Sequence, residues 1–178
     1  MTDDLRRRIQ QAYNKVEEKM KDVPGYKGYK DKEVRREADK LLRLQVARGF
    51  DEQRRRLNGI QMKLTSAGRL DAVLLLDRAA MKLQLLIDRL KTASYGYAGV
   101  FSAVKVREAE LDSLYNFDAA LLGDVDKVKG CVDKVAAAAS DDELNTAGNS
   151  LLGVADEANE VFGKRQDVLL KISAPTPG

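Results

Sequence analysis

The sequence predicts an all-α fold: an elongated up-and-down antiparallel helical bundle of coiled-coil hairpins, with four main helices plus an N-terminal one. Three observations predict it. Between Val104 and Ile172 two long rows advance in alternating steps of three and four. The first is Leu111, Leu114, Asp118, Leu121, Val125, Val128, Val132, Val135 and Ala139. The second is Leu144, Ala147, Leu151, Val154, Ala158, Val161, Arg165, Val168 and Ile172. Such spacing holds one stripe of a helix against a partner. Further upstream, Val73, Leu76, Ala80, Leu83, Ile87 and Leu90 follow the same rule. Finally, Ser140-Asp141-Asp142-Glu143 parts the two long rows with a helix-start signal.

The first predicted helix spans about 2–22. Thr2 caps it, and Asp3 and Asp4 in its first turn suit the positive end of the helix dipole. Its stripe is Leu5, Ile9, Ala12, Val16 and Met20, set among Arg6, Arg7, Arg8, Lys15, Lys19 and Lys21. A basic amphipathic helix of this kind suits either a membrane surface or the bundle. The short stripe has neither Phe nor Trp, which favours the bundle.

Pro24, Gly25 and Gly28 then break the helix, because Pro lacks an amide proton and Gly permits positive φ. Asp31 caps a second helix over 31–65, whose apolar positions are Val34, Ala38, Leu41, Leu44, Phe50, Leu57, Ile60 and Leu64. Ser66-Ala67-Gly68 marks its stop, with Gly68 as the left-handed residue. The alternative is one continuous helix from Asp31 to Ala93, roughly 95 Å long. That helix would carry Asp71 and Arg78 inward, a cost the turn avoids.

The third helix, 69–93, carries the strict row from Val73 to Leu90 and a second row, Leu70, Leu74, Met81 and Leu85. The two together widen the apolar face and predict the most enclosed helix of the set, at the centre of the core. After Ser94-Tyr95-Gly96-Tyr97-Ala98-Gly99 a fourth helix covers 103–139 and a fifth 141–173. Ser140 and Glu143 form a capping box: the serine oxygen accepts from the Glu143 amide, and the carboxylate accepts from the Ser140 amide. Residues 1–173 thus make a single helical-bundle domain, and 174–178, rich in Pro, form a disordered tail.

Folding the last two helices into an antiparallel hairpin sets Val132 against Leu151, Val125 against Ala158 and Asp118 against Arg165. The last two are the only charged members of their rows, and they are expected either to form an inward ion pair that fixes register or to reach water at the rim.

Composition bounds function mainly by exclusion. The 178 residues hold 31 Lys and Arg against 28 Asp and Glu, a net charge of +3, too small by itself to imply nucleic acid or anionic lipid. The distribution is polarised: 18 basic and 11 acidic side chains over residues 1–65, 13 and 17 over the rest. A single cysteine, Cys131, is expected in the core and fits a reducing compartment. With neither a signal-like apolar N-terminus nor about 18 consecutive apolar residues, the chain reads as soluble and cytoplasmic. Histidine is absent, which removes the usual general base and the His-containing nucleophile and di-iron systems. There is no cysteine pair for zinc, and Gly25-Tyr26-Lys27-Gly28 lacks the pattern of a phosphate loop. No catalytic residue, metal site or cofactor is expected.

Up-and-down topology gathers the breaks around 23–30 and 94–99 at one end of the bundle. That end collects Tyr26, Lys27, Tyr29, Lys30, Tyr95, Tyr97 and Phe101, which either bind a protein partner or pack on one another to close the bundle. Runs at Arg6–Arg8, Arg35–Arg36 and Arg54–Arg56 raise nucleic acid or an anionic membrane as rival partners, but Glu33, Glu37, Asp39, Asp51 and Glu52 interleave with them, as on an ion-paired helix surface. The expected function is a non-catalytic helical scaffold or adaptor whose partner is another protein or a second copy of itself. The alternative is a peripheral membrane-surface or nucleic-acid-binding protein that uses the basic N-terminal third.

Overall fold

The computed structural model describes the backbone of residues 27–93 and 108–173, and within them the side chains of 42–93, 117 and 120–167. Four helices make up these stretches: α1 (Lys27–Ser66), α2 (Leu70–Thr92), α3 (Glu108–Ala137) and α4 (Asp141–Ser173). No strand occurs among the described residues. The predicted helix over 2–22, with its Thr2 cap and its apolar stripe, lies outside them.

The break at Gly68 is real and the continuous helix is excluded. Gly68 adopts φ +73°, the Arg69 amide donates to the Leu64 carbonyl at 3.0 Å, and the Gly68 amide donates to the Thr65 carbonyl at 3.0 Å. These two bonds make a Schellman terminus, which satisfies carbonyls that the end of a helix leaves open. The chain reverses, and α2 runs back along α1. At the far end of this hairpin the buried Arg43 donates from Nη1 to the Leu90 carbonyl at 3.1 Å, satisfying one of the last acceptors of α2.

The second reversal follows the capping box with one change. Ser140 Oγ accepts from the Glu143 amide at 3.2 Å, as predicted, but the Glu143 carboxylate accepts from the Ala139 amide at 2.8 Å rather than from Ser140. The Glu143 amide itself points at the cap, while the Ser140 carbonyl takes the Leu144 amide. α3 stops at Ala137, so Ala139 is exposed rather than the last member of the inward row.

The hairpins stack with α1 beside α3 and α2 beside α4. Val125 lies against Gly49 and Asp133 pairs with Arg56, so sequence numbers rise together and α1 and α3 are parallel. Leu75 against Gly148, Lys82 with Asp156 and Arg89 with Gln166 show the same for α2 and α4. The helices alternate up and down along the chain, but the second hairpin repeats the first by translation. Hairpins stack in this way in helical-repeat proteins, and each helix has two close neighbours among the described helices.

One continuous core joins all four helices. Phe50, Leu57, Leu76, Leu83, Leu86, Ile87, Leu90, Leu121, Val128, Val132, Leu151 and Phe162 are among its fully enclosed members. The predicted row of α3 is buried from Leu121 to Val135. In α4 the core row drifts: Ala155 and Phe162 are buried, while Val154 and Val161 are half-buried. A helix facing two neighbours must spread its apolar positions around more than a single heptad seam.

Candidate functional site

Most of the expected Tyr-Gly end lies outside the described residues. Tyr26, Tyr95, Tyr97 and Phe101 lie outside the described residues. Lys27, Tyr29 and Lys30 belong to the first turns of α1 rather than to a loop, because the helix begins before the Asp31 cap. From Lys27 to Arg43 α1 runs sixteen residues, about 24 Å of helix, whereas α2 ends two residues past Leu90. Those turns therefore extend beyond the end of α2.

Arg165 is completely buried and is not without a partner. It is the largest fully buried side chain, which rules out its reaching water at the rim. Asp118, its predicted counterpart, lies on α3 with its side chain outside the described set. The charge of Glu157 on α4 also acts on Lys127 of α3, in line with the predicted facing of the two helices.

The arginine run on α1 is committed to carboxylates. Arg54 and Arg55 both engage Asp51, at 3.1 and 2.8 Å, and Arg56 reaches across to Asp133 on α3. Burial alone raises the Asp51 carboxyl, but the Arg54 hydrogen bond and the charges of Arg55, Arg54 and Lys91 overcome it and hold the group below the ordinary carboxylate range. The side chains of Arg35 and Arg36, and all of Arg6–Arg8, are outside the described residues.

Polar contacts line the seam between α2 and α4. Arg69 pairs with Asp141, and Lys82 with Asp156 at 2.7 Å. Asn159 donates to the carbonyls of Lys82 and Ala155 at 3.0 Å. Arg89 reaches the Asn159 carbonyl and Gln166, and its guanidinium lies 5.2 Å from the centre of the Phe162 ring. On α3 the buried Asp124 accepts from Lys127 Nζ at 2.9 Å through Oδ1, while its Oδ2 has no hydrogen bond. That bond and the Asp124 charge raise the Lys127 ammonium above its usual range. Cys131 is buried as expected, and burial pushes its thiol up against the weaker opposing effect of Lys134.

The outer face of α2 departs most from expectation. Leu70, Leu74, Met81 and Leu85 are 60, 65, 65 and 51% exposed, so this helix is not enclosed on all sides. At about 100° per residue the four fall on one stripe, on the side opposite Leu76, Leu83, Leu86 and Leu90. Among the described residues α2 packs closely on α1 and α4, and neither covers its back. A signal for this stood in the sequence: Asp77 and Asp88 interrupt the outer row, and no charge interrupts the inner one. Asp77 and Arg78, midway along the stripe, are exposed and form no ion pair among the described residues.

Among the described residues no three metal-ligating side chains come together, and no helix is long and apolar enough to cross a membrane. The site so defined is a surface: an apolar stripe with a charged midpoint on the back of a helical bundle. No protein-family model matches the chain, and no curated protein or solved structure shows significant similarity to it.

Proposed function

We propose that this protein is a non-catalytic helical scaffold or adaptor that works by protein–protein contact, with the outer face of α2 as its contact surface. A single observation carries the reading: four large apolar side chains, each at least half exposed, line one face of α2. Leucine and methionine scattered singly over a surface need no explanation, whereas a contiguous row of them characterises an interface. The absence of histidine from the whole chain supports the non-catalytic part, and the single buried cysteine suits a cytoplasmic setting. The expected Tyr-Gly end is a second candidate surface on sequence grounds alone.

The rival reading, attachment to an anionic membrane or to nucleic acid through the basic N-terminal third, needs free arginines. Engagement of Arg54, Arg55 and Arg56 by Asp51 and Asp133 weighs against it. Affinity purification from the native cell separates the two, using the wild-type chain and Leu74→Lys at matched expression. The scaffold reading expects a defined protein, or a second copy of the chain, to be retained by the first and lost by the second. Sedimentation with anionic vesicles or DNA that is strong at low salt and collapses at high salt, with no protein lost on substitution, would favour the rival instead.

A further inference from the structure

We propose that the occupant of the outer α2 face is a second copy of the same chain, packed antiparallel about a two-fold axis near residues 77 and 78. The inference rests on the reading of that face as the contact surface. The stripe is palindromic in its spacing: Leu70 to Leu74 is four residues, Leu74 to Met81 seven, and Met81 to Leu85 four again. An isologous interface requires a patch to match itself after rotation. Antiparallel pairing about the midpoint sets Leu70 against Leu85 of the second copy, and Leu74 against its Met81. Every apolar member of the stripe then meets another apolar side chain.

Charge at the midpoint fits the same arrangement. No apolar side chain occupies the seam between Leu74 and Met81, and Asp77 and Arg78 flank the gap on its two sides. Rotation brings two aspartates and two arginines to the axis, a neutral set. The long arginine side chain spans the gap to Asp77 of the other copy. Lys82 takes no part, since Asp156 already holds it.

None of the described helices covers the stripe. Leu70 and Leu74 sit near the Gly68 turn, about 30 and about 24 Å along α2 from Leu90. Lys27, Ala93, Glu108 and Ser173, where the described stretches begin, break and end, all lie toward the opposite end of the bundle.

Sedimentation equilibrium of the full-length chain across micromolar to millimolar concentration tests the proposal, with circular dichroism to verify that each variant keeps its helices. Wild type is expected to dimerise, and Leu74→Lys to weaken the dimer about 100-fold, as loss of a central apolar anchor does. Asp77→Arg places four arginines at the axis and Arg78→Asp four aspartates, so each alone is expected to be monomeric. Mixing these two variants, or combining both changes in one chain, restores neutrality and is expected to restore the dimer. A wild type that stays monomeric throughout overturns the proposal, as does a mixture no more associated than its components. If the monomeric wild type still loses a cellular protein partner on Leu74→Lys, the dimer is overturned while the contact-surface reading stands; if neither association depends on Leu74, both fall.

Discussion

At Gly49 and Gly148 the missing side chain is what lets the two hairpins approach. A Cβ on Gly49 would lie 2.7 Å from Val125 Cγ1 and 3.2 Å from its Cγ2, and one on Gly148 would lie 2.8 Å from Leu75 Cδ2. Alanine normally stabilises a helix over glycine by about 0.5–1 kcal/mol. Overpacking costs about 1–3 kcal/mol, so the clash wins where the neighbour cannot yield. Gly49→Ala is expected to lower stability by about 1–2 kcal/mol in urea unfolding, because β-branched Val125 is stiff. Gly148→Ala should lose less, since a leucine tip can rotate. Gly59→Ala and Gly153→Ala meet open space and are expected to raise the unfolding midpoint. A stabilising Gly49→Ala would contradict the close parallel packing of α1 on α3.

Arg165 and Asp51 place charge in two different settings. Arg165 is wholly buried, and truncating one partner of a buried ion pair costs about 3–5 kcal/mol because the other charge is left behind. If Asp118 is that partner, Arg165→Leu should destabilise more than Asp118→Leu and Arg165→Leu combined. Additive losses in the double variant would reject the pairing. For Asp51 the sign follows from its lowered pKa: its stabilising contribution is present above the carboxylate pKa of the unfolded chain and is lost as pH falls through the folded value. Asp51→Asn should therefore shrink the stability difference between neutral and strongly acidic solution, which acid unfolding monitored by circular dichroism would reveal.

Helix ends decide the element scale, and the two reversals use different chemistry. The α1–α2 turn depends on one backbone conformation, since Gly68 has φ +73° and nothing within 4 Å of a would-be Cβ. Gly68→Ala is expected to cost about 1 kcal/mol through the left-handed backbone alone, with no steric contribution. The α3–α4 turn depends on a side chain: Ser140 Oγ satisfies the Glu143 amide, and Ser140→Ala is expected to cost about 1 kcal/mol. Ser140→Asp should retain most of that stability, as a carboxylate can accept the same bond near the helix N-terminus. Thermal unfolding of the three variants under one set of conditions checks the ordering. If Ser140→Asp fell with Ser140→Ala, the cap would not be what holds this turn.

For the molecule as a whole, stacking by translation separates what stabilises the bundle from what its surface offers. The core is continuous through all four helices, while Arg56–Asp133, Lys82–Asp156 and Arg69–Asp141, the ion pairs between hairpins among the described residues, are all partly exposed. Exposed pairs contribute little and are screened by salt. Added salt is thus expected to leave the thermal midpoint nearly unchanged; a marked fall would show that polar contacts, not the core, hold the hairpins together. Among the described residues the same stacking gives α2 two close neighbours, and a helix apolar on two sides keeps one of them exposed.

Sequence alone determined the four described helices, their two turns and most of the inward rows, because heptad spacing, a serine cap and a glycine stop are local and act within a few residues. It also placed Cys131 and Arg165 among inward positions, where burial confirms them. Tertiary structure decided which neighbours each helix has. Local spacing does not fix the parallel seam of α2 against α4, so the row Leu70, Leu74, Met81 and Leu85 read as core although it is surface, with Asp77 and Asp88 as its one local mark. The physical reason is that apolar periodicity states which residues gain by leaving water, whereas the stacking of hairpins determines how many sides of a helix are covered.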